Sequence, residues 1–515
     1  MAQTAKPSNI AATSRRSFLR GGAAAAGAAT LTGPLAFLKT KALASGHLCG
    51  TRGPSPYGDI FPTKDDVTGL PLIMLPRGFK YSTFSWRGDM MNDGNLVPSG
   101  HDGMAIVSAA NPGGQAHGKS QTFTLIRNQE VFGVGNAPIA PDYNYDPQGG
   151  GGTTALTWQN GKLIDHHVSI SGTSSNCAGG PSPWGTWITC EEGMDQGDEP
   201  HGYAFECTVA RVTNPTPLKA MGRFAHEAVA FDPRTGVVFL TEDNSSSSSL
   251  EPTPADRRRG NSGFYCFVPN NPLGGVGSLA AGGALYMLKA LGADDLRDPG
   301  CFSEYDVEWV KIDTPDAPPS MSLSAPYIEG RGKGGTRFQR LEGCWWDATK
   351  NRVVFVDTEG GPIGSEQGRS DRAEGAVWTY DPVTKKLKNI FVSQGALAPD
   401  AYGGDNPDNC SVSPNGGIIL CEDGGTNDGN GLSMLGLLPN GQTFEFARNI
   451  INIGPGDESA LIAAGHNPFA VGINDYSDQE WAGATFSPDG KTLFANIQTP
   501  GITFAITGPF AKGPF

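Results

Sequence analysis

The chain has 515 residues with 52 acidic and 38 basic side chains, a formal charge of −14, and so lacks the overall basic footprint of a nucleic-acid-binding protein. Its 72 glycines and 39 prolines make turns dense, and beyond residue 44 no run approaches the roughly 20 apolar residues of a membrane span. Many short β-branched or aromatic runs between turn residues predict an all-β chain.

The first 44 residues read as an export signal. Ser14-Arg15-Arg16-Ser17-Phe18-Leu19-Arg20 is a twin-arginine motif, a weakly apolar Ala/Gly stretch follows, and Ala42-Leu43-Ala44 is a small-residue cleavage site. Recognition by the twin-arginine export machinery implies a periplasmic or secreted protein, carried across already folded, often with a cofactor in place. Removing the six basic residues of this segment takes the formal charge to about −20. An acid excess of this size suits divalent cations, which can in turn hold an anionic substrate. The one dense basic run, Arg257-Arg258-Arg259, lies in a Ser/Pro-rich stretch and reads as a solvated loop tip.

Residues 45–515 are expected to form one domain. Residues 45–75 look like an extended, Pro-rich lead-in, and 122–127 form an apolar strand ending in Asn128-Gln129-Glu130. A glycine-rich loop, 144–154, carries Asp146. Over 176–192 the chain reads Asn-Cys-Ala-Gly-Gly-Pro-Ser-Pro-Trp-Gly-Thr-Trp-Ile-Thr-Cys-Glu-Glu, which places Cys177 before a Gly/Pro turn and Glu191 and Glu192 after an apolar run. Helical patterning is confined to 277–293 and 458–464. Nine cysteines leave at least one unpaired; Cys49, Cys207, Cys266 and Cys301 are open to pairing or to plain burial.

One frame recurs. Glu227-Ala-Val-Ala-Phe-Asp-Pro233, Glu342-Gly-Cys-Trp-Trp-Asp-Ala348, Asp408-Asn-Cys-Ser-Val-Ser-Pro414 and Ala482-Gly-Ala-Thr-Phe-Ser-Pro488 are each a strand entering a tight turn. The second strands that follow three of these turns end in acids: Glu242-Asp243, Asp357 with Glu359, and Glu422-Asp423. Counting six residues back from the turn gives Cys177, Glu227, Glu342, Asp408 and Ala482. An antiparallel hairpin returns the end of its second strand beside the start of its first, so both acidic slots share one end. Repeats of this length predict a β-propeller of about six blades with short helical insertions, its acids aimed at one channel mouth.

Crowded carboxylates raise one another's pKa unless cations neutralise them. Oxygen-only sets suit calcium, and a thiolate suits a softer metal such as iron or zinc. The candidate ligands are Cys177, Glu130, Glu192, Glu227, Glu242, Glu342, Asp408 and Glu422. The competing readings are acids that cap turns and a Cys177 that is simply buried or disulfide-bonded. Arg340, two residues before Glu342 on the same face, can grip a phosphate with paired hydrogen bonds or form a salt bridge. His226 points away from Glu227 and reads as packing, as do Cys190, Cys344, Cys410 and Cys421. No serine is paired with a base to serve as nucleophile. A calcium-dependent propeller lactonase or phosphotriesterase, or a non-catalytic calcium-binding propeller, would need no thiolate.

The twin-arginine signal, the 176–192 stretch, Arg-x-Glu-Gly at 340–343 and the C-terminal Phe-Ser-Pro-Asp-Gly-Lys-Thr-Leu-Phe-Ala-Asn-Ile-Gln together resemble the PhoX-type alkaline phosphatases. The resemblance implies a six-bladed propeller with Fe3+ and Ca2+ around an oxo bridge and hydrolysis of phosphate monoesters in the periplasm. It assigns Cys177 to iron, shares Glu192, Glu227 and Glu342 between iron and calcium, and gives the phosphorylated small-molecule substrate to Arg340. The expected nucleophile is an oxo or hydroxide on the metal, and a monomer is expected. Gln129 stands where the family's Asn-His-Glu motif has histidine, and the chain is shorter than typical members.

Overall fold

A computed structural model describes residues 49–111, 121–245, 260–320, 322–362, 373–394, 403–404, 406–424 and 431–515. The signal segment and the arginine run at 257–259 lie outside these residues.

Six inner strands stand around one axis: His101–Ala110, Asn176–Pro181, His226–Phe231, Leu341–Asp347, Pro407–Val412 and Trp481–Phe486. Each packs beside the next and the sixth packs beside the first, so the ring closes. From each, antiparallel strands fan outward in chain order, the arrangement of a propeller. Among the described residues the first blade has four strands, the second three, and the third and fourth merge into one nine-stranded sheet where Glu304–Ile312 pairs with Lys386–Val392. The six inner strands therefore match the expected repeat, while the sheets do not divide evenly into six.

The lead-in is more structured than its composition suggests. Ile60–Lys64 and Pro71–Pro76 become the two outermost strands of the fifth blade, and Lys80–Phe84 completes the sixth by pairing with Ile502–Thr507. The 277–293 stretch is not a helix. A 3-10 turn, Ser278–Ala281, stops at Gly282 with φ 78°, and Gly283–Ala290 continues as a strand paired on both edges. Leu285 and Met287 bury on the same face there, so sheet pairing prevails over the helical spacing. The α-helices, among the described residues, are Ala325–Gly332, Glu458–Ala464 and Pro468–Val471.

The core lies between blades. Phe239 and Phe264 of the third meet Phe355 and Trp378 of the fourth, while Val354 and Val356 of the fourth meet Leu420 and Leu435 of the fifth. Each such side chain contributes about 1.5–3 kcal/mol by leaving water. Cys49 and Cys301 form a disulfide, and Cys207 and Cys266 are buried free thiols. Cys190, Cys344, Cys410 and Cys421 are free and pack into the inter-blade clusters.

Candidate metal centre

All six inner hairpins repeat one irregularity. In the second blade Asn176 pairs with Glu191 and Gly179 with Thr189, so three steps on the inner strand face two on its partner. The same three-against-two count separates His101 from Met104, His226 from Val229, Leu341 from Cys344, Pro407 from Cys410 and Ala482 from Thr485. Each is a β-bulge, a device that re-aims a side chain. The bulges fall on Asp102, Cys177, Glu227, Glu342 and Asp408, with Ala482 at the edge of the sixth. The residue after each is small or short: Gly103, Ala178, Ala228, Gly343, Asn409 and Gly483. Gly343 shows why, because a Cβ there would lie 2.6 Å from the backbone nitrogen of Cys410. The inner strands thus touch backbone to backbone behind the acids.

Ligand atoms converge in four overlapping groups, each within 4.8 Å: Cys177, Glu192 and Glu227; Glu227, Glu342 and Asp408; Asp102, Glu130 and Glu480; and Asp408, Asp423 and Glu480. Asp102, Glu130, Cys177, Glu227 and Glu342 are buried, Glu192, Asp408 and Glu480 are half-buried, and Asp423 is exposed, so the centre deepens from Asp423 inward.

Two expected ligands do not take part. Glu242 turns outward and accepts hydrogen bonds from Ser324 Oγ at 2.5 Å, Tyr265 Oη at 2.6 Å and the Gly263 N–H at 3.1 Å. Glu422 turns outward and accepts from the Ser433 N–H at 2.8 Å. Each is the last residue of its strand and pairs with the residue before the bulge, His226 or Pro407. Cross-strand partners share a face, so the inward slot passes to Asp243 and Asp423.

Asp102, Asp423 and Glu480 were not among the expected ligands. Asp102 lacks a proline six residues on, but the acid-glycine pair that also marks Glu342-Gly343 was a usable signal. Glu480 stands beside the blade whose own slot is Ala482. His226 keeps to packing: it stacks on Phe224 with centroids 3.6 Å apart, and its Nε2 meets the Gly222 carbonyl at 3.0 Å.

Burial raises the pKa of these acids, and their neighbours raise it further. Glu227 is pushed well above the usual carboxylate range by burial and then by Glu342 and Asp408, and Glu130 by burial and Asp102. Asp408 is pushed up to about 7 by burial and Asp423. Burial, then Glu227 and Glu192, raises the Cys177 thiol. Glu227 Oε1 is buried without a hydrogen-bond partner among the described residues. An anionic oxygen in that state calls for a cation, and the donor set fits metal ions.

Arg340 is the positive group within this crowd. Its Nε donates to Asp243 Oδ1 at 2.8 Å, and its Nη2 donates to Asp243 Oδ2 and lies 3.0 Å from Glu342 Oε1. Its Nη1 is 3.6 Å from Glu359 Oε1. The salt bridge weighed against a phosphate grip is therefore present, formed with Asp243.

The family model described as Alkaline phosphatase PhoX matches residues 150–501. The chain belongs to this family. Pseudomonas fluorescens PhoX, solved in complex with vanadate, a transition state analogue, aligns with a TM-score of 0.58 at 16% identity, over 90% of this chain and 99% of that one. A Trichoderma reesei carbohydrate-active enzyme of family AA12 (TM-score 0.33, 11% identity, 68% and 94% covered) and a Xanthomonas campestris gluconolactonase (0.29, 10%, 80% and 97%) are far more distant. No curated protein sequence matches. Gln129, the departure from the PhoX motif, occupies an outward slot equivalent to Glu191 and Glu242. It is buried against Thr154 Oγ1 at 3.1 Å and leaves the convergent acids intact.

Proposed function

We propose that this PhoX-family phosphatase hydrolyses phosphate monoesters after twin-arginine export, with iron and calcium in the channel mouth. The observation that carries the reading is the convergence of one sulfur with carboxylates from five inner hairpins around a buried oxygen, Glu227 Oε1, that has no hydrogen-bond donor among the described residues. Cys177, Glu192 and Glu227 suit Fe3+, because a thiolate favours a transition metal. The oxygen-only groups, Asp102 with Glu130 and Glu480 and Asp408 with Asp423 and Glu480, suit Ca2+. Glu342 joins the two kinds of set through Glu227 and Asp408.

When bound, such cations polarise phosphoryl oxygens and neutralise the charge that develops during displacement. The chain's own part is positioning. Asp243 holds two nitrogens of Arg340, which leaves Nη1, whose contact among the described residues is Glu359 at 3.6 Å, to bind a phosphoryl oxygen.

Elemental analysis of protein exported by its own pathway, with a phosphomonoester assay before and after chelation, tests this. The expected result is iron together with calcium, and activity abolished by chelator. Calcium alone, or full activity after chelation, overturns it. A Cys177→Ser variant is expected to lose iron and about 100-fold or more in kcat, a loss of roughly 3 kcal/mol of transition-state stabilisation.

A further inference from the structure

Behind the Cys177–Glu192 hairpin, three ionisable side chains are sealed from solvent. His201 Nδ1 lies 2.7 Å from Glu191 Oε1, its Nε2 lies 3.2 Å from Asp146 Oδ2, and all three side chains have no exposed surface. Both ring nitrogens face carboxylate oxygens, so the ring donates twice. Burial works against a charged ring, yet Glu191 and Asp146 hold its pKa above the usual value. The carboxylates are saturated from their other sides. Glu191 also accepts from the N–H groups of Ser174 at 3.0 Å, Gly202 at 3.0 Å and Tyr203 at 3.1 Å. Asp146 accepts from those of Gln148 at 2.7 Å and Glu199 at 2.9 Å.

The imidazole therefore joins three pieces of chain: the glycine-rich loop of the first blade, the end of the strand Trp187–Glu191, and the segment leading into Ala204–Cys207. Glu191 is tied to the turn before the inner strand through Ser174, and the Glu192 N–H donates to the Ser175 carbonyl at 2.9 Å. Glu192 and Cys177, one and two residues beyond these bonds, belong to the thiolate group. A cluster of apolar side chains of similar volume would stabilise the fold as well as a buried charged triad. What the triad adds is a fixed distance.

We propose that His201 is the positioning residue of the thiolate site, its ring setting the spacing of Cys177 Sγ and the Glu192 carboxylate by clamping Glu191 against Asp146. This rests on the reading of Cys177, Glu192 and Glu227 as the iron ligands. Asp102 and Glu130 share the first blade with Asp146, but their carboxylates face Asn409, Gln498 and Glu480 and not the triad, so the clamp acts on the thiolate group.

The test compares the full-length wild type with His201→Phe and Asp146→Asn; the second keeps an acceptor for the loop N–H groups if the first does not fold. Metal per chain is measured, together with the alkylation rate of Cys177 in metal-free protein. The expected result is iron affinity lowered about tenfold with calcium retained, kcat reduced without a matching rise in KM, and Cys177 alkylated several-fold faster than in the wild type. Unchanged iron and alkylation in both variants overturn the proposal. So does parallel loss of iron and calcium with the melting temperature, which is what a purely structural role predicts. If the wild type carries no iron, the reading of the centre fails by itself, and the alkylation arm still judges the clamp.

Discussion

Glu242 and Asp243 are neighbours in sequence with opposite tasks, and substitution separates them. Glu242 is buried, is pushed up to about 7 by burial, and is satisfied by Ser324, Tyr265 and Gly263. Glu242→Gln leaves the convergent acids untouched, so metal content and kcat are expected to hold while stability falls by about 1–3 kcal/mol from mismatched buried hydrogen bonds, read as a lower denaturant midpoint. Arg340 is the opposite case. Its paired bonds to Asp243 need a planar fork, which an ammonium cannot reproduce. Arg340→Lys therefore keeps the charge and loses the orientation. Phosphomonoester kinetics are expected to show kcat/KM down roughly 100-fold, with inorganic phosphate inhibiting more weakly. A variant with wild-type kcat/KM removes Arg340 from substrate binding.

At the scale of the hairpin, the first-strand slots were legible because a turn residue sits six positions after Cys177, Glu227, Glu342, Asp408 and Ala482. The second-strand slots were harder to read. Two acids end several of these strands, the pleat sends one each way, and which one faces inward depends on a register that is not written locally. The bulge adds a residue to the inner strand only, and the structure brings Glu192 and Glu130 into the converging groups while Glu242 and Glu422 face outward beside Asp243 and Asp423. Asp102 escaped because its hairpin turns without the proline. The same bulge needs a small residue behind the acid, which makes Gly343 a sharp probe. A Cβ there would meet the Cys410 nitrogen at 2.6 Å and the Asp408 carbonyl oxygen at 2.7 Å, both backbone atoms that cannot swing away. Gly343→Val is expected to destabilise by about 1–3 kcal/mol and to lower the metal bound per chain by displacing Glu342 and Asp408. Normal metal content in a folded variant would show that the inner strands give way without moving the ligands.

Over the whole molecule, ring closure sets acids from separate blades against one another, and the chain's own positive charge at the centre is Arg340 alone among the described residues. The Lys80–Phe84 strand, on the chain that leads into the first blade, pairs within the sixth, so the ring cannot relieve this repulsion by opening at its seam without losing a strand pair. Without metal, therefore, the repulsion is stored in the fold. The sign follows from the raised pKa values. A carboxyl raised in the folded state is ionised at a cost above its folded pKa, and that cost fades as pH falls through the folded value toward the unfolded one near 4. Asp408, at about 7, begins to be relieved in the neutral range, and Glu227, Glu342, Glu130 and Glu480, raised well above the ordinary value by burial and by neighbouring carboxylates, are relieved in the same direction. Other titrating groups, such as the buried His166 held neutral by burial and Arg127, act alike on both forms and cancel in the difference. The melting temperature of the metal-loaded protein minus that of the chelated protein should be largest near pH 8 and shrink by about 5 °C or more by pH 5. Proton-driven release of metal from its ligands works in the same direction. A difference that is constant across this range, or that widens in acid, would mean that the convergent carboxylates do not carry their charge into the folded centre.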